Sequence, residues 1–176
     1  MEEALAGDPR SIKQQFVGPF TLAAGVELRN GQSILSDRSA FDDLVFALAD
    51  VIAEQSRAIG KRFGRDPVIQ IDEPSAPAVL HGRIKTASGF ARYRSMTADE
   101  TRRVWGLITD AVNKATPQAV LHCCAPDVPV DLARESGFSD IACDISITGP
   151  ADEFGRALES GIRLWPGSLD PKEIEN

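Results

Sequence analysis

At 176 residues the chain can bury one sizeable core, and its 43% apolar and 26% charged content is ordinary for a soluble globular protein. A net charge of −7 with 6% aromatic residues argues against general nucleic-acid binding and against an anionic membrane surface as partner. No apolar run approaches the ~20 residues of a membrane helix. The acidic start Met1-Glu2-Glu3-Ala4-Leu5 lacks the basic and apolar segments of a signal peptide, so a cytoplasmic protein is expected.

Gly7, Asp8 and Pro9 break any helix near the start. Ile12 to Val17 reads as a first strand, ending at Gly18-Pro19-Phe20-Thr21, and residues 22–36 read as irregular. Ser36 or Asp37 can cap a long helix reaching about Phe63, with Phe41, Leu44, Val45, Leu48, Val51 and Ile52 as one apolar stripe. Val68 to Ile71 is a second strand with Asp72-Glu73-Pro74 at its carboxyl end.

Residues 75–96 form a long connection carrying Arg83, Lys85, Arg92 and Arg94. A loop of this length is either a ligand-covering segment or a solvated one. Thr97-Ala98-Asp99-Glu100 is a capping box, and the helix after it turns Val104, Leu107, Ile108, Ala111 and Val112 inward. Ala119 to His122 is a third strand. A short helix from Pro126 to Ser136 closes at Gly137, and Asp140 to Asp144 is a fourth strand. Pro150 opens a further short helix that ends before Gly161, and Ile162 to Trp165 is a fifth strand. Strands alternating with helices predict a parallel sheet with helical crossovers in a single α/β domain.

The chemistry collects at the carboxyl ends of the predicted strands, the position of ligand sites in both barrels and open parallel sheets. No glycine-rich phosphate fingerprint follows the first strand, which argues against the nucleotide-binding version. A complete (β/α)8 barrel usually needs ~250 residues, so five βα units predict part of a TIM barrel. In His122-Cys123-Cys124, alternation sends His122 and Cys124 to one face and Cys123 to the other. An imidazole and a thiolate aimed into one cavity make half of a zinc site. The plainer alternative is two buried thiols beside a core histidine. Asp72 and Glu73 face opposite sides; one can take a substrate ammonium group while the other pairs with a basic residue, or the pair serves as a turn.

Gln70-Ile71-Asp72-Glu73-Pro74, followed by His122-Cys123-Cys124, resembles the C-terminal catalytic barrel of cobalamin-independent methionine synthase, and more closely its short single-barrel members. Gly18-Pro19-Phe20-Thr21 is similar to the family's Gly-Pro-x-Thr strand end. The likeness spans roughly residues 11–170. It implies a barrel related to uroporphyrinogen decarboxylase that transfers a methyl group to the thiol of homocysteine held on zinc. It further implies His122 and Cys124 as zinc ligands, Asp72 on the amino group of homocysteine and Glu73 as a supporting carboxylate.

Several positions depart from that pattern. The family's third ligand is a glutamate, where Asp144 stands here. The expected distal cysteine ligand and a later histidine have no counterpart; Trp165-Pro166-Gly167-Ser168 stands in the latter's region. Leu22-Ala23-Ala24-Gly25 replaces the segment that carries the folate-stacking tryptophan, so a corrinoid methyl donor is as plausible as methylfolate. Two other functions compete: a uroporphyrinogen-decarboxylase-like enzyme using Arg83, Lys85, Arg92 and Arg94 for substrate carboxylates, and an incomplete, non-catalytic barrel that binds a ligand or partner. Open strand edges in such a barrel favour a homo-oligomer.

Overall fold

In the computed structural model, which describes residues 11–147 and 151–167, short strands alternate with helices. The strand β1 (Lys13–Val17) leads into α1 (Pro19–Gly25) and a 3-10 turn (Ile34–Ser36), and α2 (Arg38–Phe63) precedes β2 (Val68–Asp72). Next come α3 (Ala76–Leu80), α4 (Ala98–Asn113) and β3 (Ala119–Cys123). The chain continues through α5 (Val130–Glu135), β4 (Asp140–Asp144), α6 (Ala151–Glu159) and β5 (Arg163–Gly167). Among the described residues no helix is long and apolar enough to cross a membrane.

The five strands are parallel and lie in the order β1-β2-β3-β4-β5. A doubly wound sheet would reverse its order at a switch point and carry helices on both faces. Here one face packs against the helices: Ile69, Ile71, Leu121, Cys123, Ile141 and Cys143 join helix side chains in a single core. On the other face the buried apolar cluster is only Val68, Val120 and Ala142.

The sheet curls around this second face. Its outermost strands, β1 and β5, would lie about 19 Å apart in a flat sheet at ~4.8 Å per strand. Yet Lys13 Nζ sits 5.9 Å from the ring centroid of Trp165. Side chains stand roughly perpendicular to their sheet, so contact across three intervening strands requires a concave surface.

Local sequence explains the helices. Asp37 accepts a hydrogen bond from the Ala40 amide to open α2, and Gly64, at φ 64°, closes it. The expected capping box of α4 is present in both directions. The buried stripe of α2 runs through Phe41, Val45, Ile52, Ala53 and Ser56. Val51, expected inside, is 49% exposed, because it lies one step of about 100° off that stripe. On α4, Trp105 is fully buried, beside the inward residues that the spacing predicts. Phe41, Phe20, Trp105 and Phe138 form an aromatic chain in that order, with successive ring centroids 6.0, 5.6 and 5.7 Å apart, that ties α2, α1 and α4 to the segment leading into β4.

Two stretches expected to be irregular are ordered. Residues 22–36 contain the end of α1 and the 3-10 turn, and Pro19 begins α1 where its missing N–H costs nothing. The 75–96 connection holds α3 and then a β-hairpin in which Lys85 bridges Arg92, Tyr93 N donates to Ile84 O and Thr86 N donates to Ala91 O. Tyr93 Oη anchors that hairpin, donating to Gln32 Oε1 and accepting from the Ser33 amide, both at 2.8 Å. The expectations for Gly7 to Pro9, Pro150 and Ser168 lie outside the described residues.

Asp140 secures the open end of the sheet. It is fully buried and accepts from Arg163 Nε and Nη2 at 2.7 Å each, from Ser139 Oγ at 2.6 Å and from Trp165 Nε1 at 2.9 Å. Burial acts to raise its carboxyl, but Arg163, Ser139 and Trp165 together outweigh it and hold the group below its ordinary range. A depressed carboxyl contributes stability that is complete above the unfolded value of about 3.9 and is lost as pH falls through the folded one. Asp140→Asn should therefore cost roughly 2 kcal/mol at pH 7. In urea titrations across pH, its deficit relative to the parent should shrink below about pH 4; a deficit independent of pH would refute this assignment.

Candidate functional site

A cavity of about 530 Å3 opens on the concave face at the carboxyl ends of the strands. His122, Cys124, Asp144, Gln70, Lys13 and Trp165 line it. Strand alternation builds the site as the sequence predicts. Cys123 and Cys143 are buried in the core on the helix side, whereas His122 and Cys124 reach the cavity and Cys124 is exposed. Burial pushes the Cys123 thiol up to about 11 and also raises Cys143, so both are neutral core groups at physiological pH. Of the three cysteines, Cys124 is the exposed one, and Cys143 also borders the cavity although its residue is buried.

Asp72 pairs in register with His122 on the neighbouring strand. Its Oδ1 accepts from Gln70 Nε2 at 2.6 Å, and Gln70 Oε1 accepts from Lys13 Nζ at 3.0 Å. A polar chain thus runs along the cavity wall from β1 to the tip of β2. Lys13, Gln15, Gln70 and Trp165 line the cavity without being among the site residues the sequence predicts. Gln70, the one polar residue inside Val68-Ile69-Gln70-Ile71, was the readable signal, because it lies two positions before Asp72 on the same face.

Asp144 reaches the same cavity from β4, one position beyond the paired Cys123 and Cys143. Its Oδ1 accepts from Ser146 Oγ at 2.6 Å and from Ser146 N at 2.9 Å, an Asx turn that holds the carboxyl below its ordinary value. His122 and Cys124 suit zinc by residue type and by shared face, but Asp144 is occupied by its own turn. Among the described residues no three His, Cys, Asp or Glu side chains gather closely enough to hold a metal ion. The fit to zinc is thus that of two ligands, not of a closed centre.

Glu73 lies on the opposite side of β2 from Asp72 and is fully buried. Oε1 accepts from the Phe20 amide at 3.1 Å and Trp105 Nε1 at 3.0 Å; Oε2 accepts from the Thr21 amide and Thr21 Oγ1, both at 2.8 Å. Burial pushes this carboxyl up, and the four donors work against burial. Its partners are backbone, hydroxyl and indole donors, not a basic residue. Glu73 therefore fastens α1 and α4 to the end of β2, and Asp72 is the carboxylate left beside the cavity.

The basic residues of the 75–96 connection do not line this cavity. Arg83 pairs with Asp127 at 2.9 Å and Arg94 with Glu100 at 2.8 Å. Asp127 is the only non-glycine among the described residues with positive φ, at 61°. No protein-family model and no curated protein matches the chain.

Proposed function

We propose that the chain is a partial (β/α) barrel of methionine-synthase type whose concave cavity receives a thiol amino acid of the homocysteine class for methyl transfer to its sulfur. The observation that carries this reading is that His122, Cys124 and Asp144 line one cavity at the carboxyl ends of adjacent strands, with Asp72 in register beside His122 on the next strand.

In this reading Asp72 takes the substrate ammonium group. Gln70, held in turn by Lys13, fixes the Asp72 carboxylate through Oδ1 and leaves Oδ2 for the ligand's ammonium. Lys13 supplies a positive charge near the substrate carboxylate. His122 and Cys124, with Asp144 released from its turn, would hold zinc, which when bound stabilises the substrate thiolate at neutral pH. The chain's own task is then to fix the sulfur in line with the methyl group. The donor is methylfolate or a corrinoid methyl carrier.

A second reading has an observation in its favour. Since no three ligands gather among the described residues, the same cavity would also suit a barrel that binds such an amino acid without turnover. Incubation with zinc, homocysteine and either methyltetrahydrofolate or methylcobalamin separates the two. Methionine formed by the parent chain and abolished in both His122→Ala and Cys124→Ala supports methyl transfer. No product from either donor, with homocysteine still binding and Asp72→Asn weakening it, supports the binding protein.

A further inference from the structure

A second cavity, of about 310 Å3, lies between the start of α2 and the base of the 84–93 hairpin. Leu35, Phe41 and Met96 give it an apolar floor, and Arg38, Arg92 and Arg94 stand on its wall. No carboxylate lines it, on a chain whose net charge is −7. We infer that this cavity binds a small molecule that joins a dianionic oxyanion group, a phosphate ester or a dicarboxylate, to an apolar body. The inference goes beyond methyl transfer and does not depend on it.

The charge balance is the argument. Three guanidinium groups around one cavity repel unless an anion offsets them. Glu100, just outside, offsets two: Oε1 accepts from Arg38 Nη1 at 2.5 Å and Arg94 Nη2 at 2.8 Å. Its Oε2 accepts from Arg94 Nη1, the Thr97 amide and Thr97 Oγ1. Asp42 is shared between Arg38 and Arg103. Both carboxylates are thus committed, and Arg92 has no hydrogen-bond or ion-pair partner for its side chain among the described residues. Guanidinium groups are well matched to phosphate and carboxylate oxygens, which they hold through paired N–H donors. The hairpin is not a loose strap, because Tyr93, between Arg92 and Arg94, is pinned by Gln32 and Ser33. Arg92, Tyr93 and Arg94 all border the cavity.

The test is calorimetric titration of the full chain with phenyl phosphate and, separately, with phthalate, each at low and moderate salt. Arg92→Ala changes an exposed side chain and leaves the fold intact; Lys114→Ala, an exposed cation elsewhere, controls for net charge. We expect at least one probe to bind, weakening with salt, with a loss of about tenfold or more in Arg92→Ala and no change in Lys114→Ala. The tighter of the two probes identifies the oxyanion. Failure of both probes to bind, or equal binding by Arg92→Ala and the parent, would overturn the inference.

Discussion

Glu73→Ala should leave the chain without a cooperative unfolding transition, or with one at a far lower urea concentration. Truncation would strand the Phe20 amide and the Trp105 indole N–H in the core and leave the half-buried Thr21 amide and hydroxyl without their acceptor. Each buried donor left unpaired costs roughly 1–3 kcal/mol, so the sum reaches about 5 kcal/mol or more. That is comparable to the whole stability of many single domains. Glu73→Gln keeps the shape and one acceptor oxygen but turns an NH2 group toward donors, so its loss should be smaller though still above ~1 kcal/mol. Urea denaturation followed by circular dichroism measures both. A Glu73→Ala chain as stable as the parent would show that the carboxylate is not the fastener described here.

Gly18→Ala should be nearly as damaging, for a related reason. Gly18 has φ −77° and ψ 163°, a conformation open to any residue, so glycine is not required by the backbone. It is required by space: a Cβ at this position would overlap Cγ and Cδ of Glu73. The clash cannot be relieved by a rotamer change without breaking the four hydrogen bonds. Overpacking alone costs about 1–3 kcal/mol, and displacement of the carboxylate adds to it. The two effects share one cause, so they should not add. Gly18→Ala/Glu73→Ala should be little worse than Glu73→Ala alone, so the coupling energy in the double-mutant cycle should approach the whole cost of Gly18→Ala, roughly 3 kcal/mol or more. Strict additivity would mean that Gly18 is needed for some other reason.

These two residues also show where sequence reading succeeds and where it stops. The five strands, the long helix and its glycine stop, and the capping box were legible because they rest on local signals: apolar runs, three- and four-residue spacing and a Thr-x-x-Glu pair. The opposite facing of Cys123 from His122 and Cys124 followed from alternation alone. Residues such as Gly18, Thr21 and Trp105, far apart in sequence, meet at Glu73 only through tertiary packing. Nothing local in Asp72-Glu73-Pro74 says which carboxylate faces the cavity and which the core; that depends on which side of β2 the helices take. Likewise α1 spans a predicted strand end and the start of a predicted irregular stretch, because a seven-residue helix presents no repeat of its apolar spacing. The hairpin at 84–93 carries no strong strand signal, and its order comes from Tyr93 reaching back to Gln32 and Ser33.

The Gly-Pro-x-Thr and Asp-Glu-Pro segments acquire separable roles in this fold. Gly18 clears space for Glu73, Pro19 starts α1, Phe20 enters the aromatic chain and Thr21 clasps the Glu73 carboxylate. Those residues build the carboxyl-end rim. His122, Cys124 and Asp144 line the cavity at that rim, with Asp72 in register beside His122.

Zinc content of the purified chain, reconstituted with reduced thiols, tests the central proposal most directly. Near one zinc per chain in the parent, lost in a His122→Ala/Cys124→Ala double variant that remains folded, is the predicted result. No bound zinc in the parent, or the same amount in both, would contradict a zinc-thiolate centre at this site.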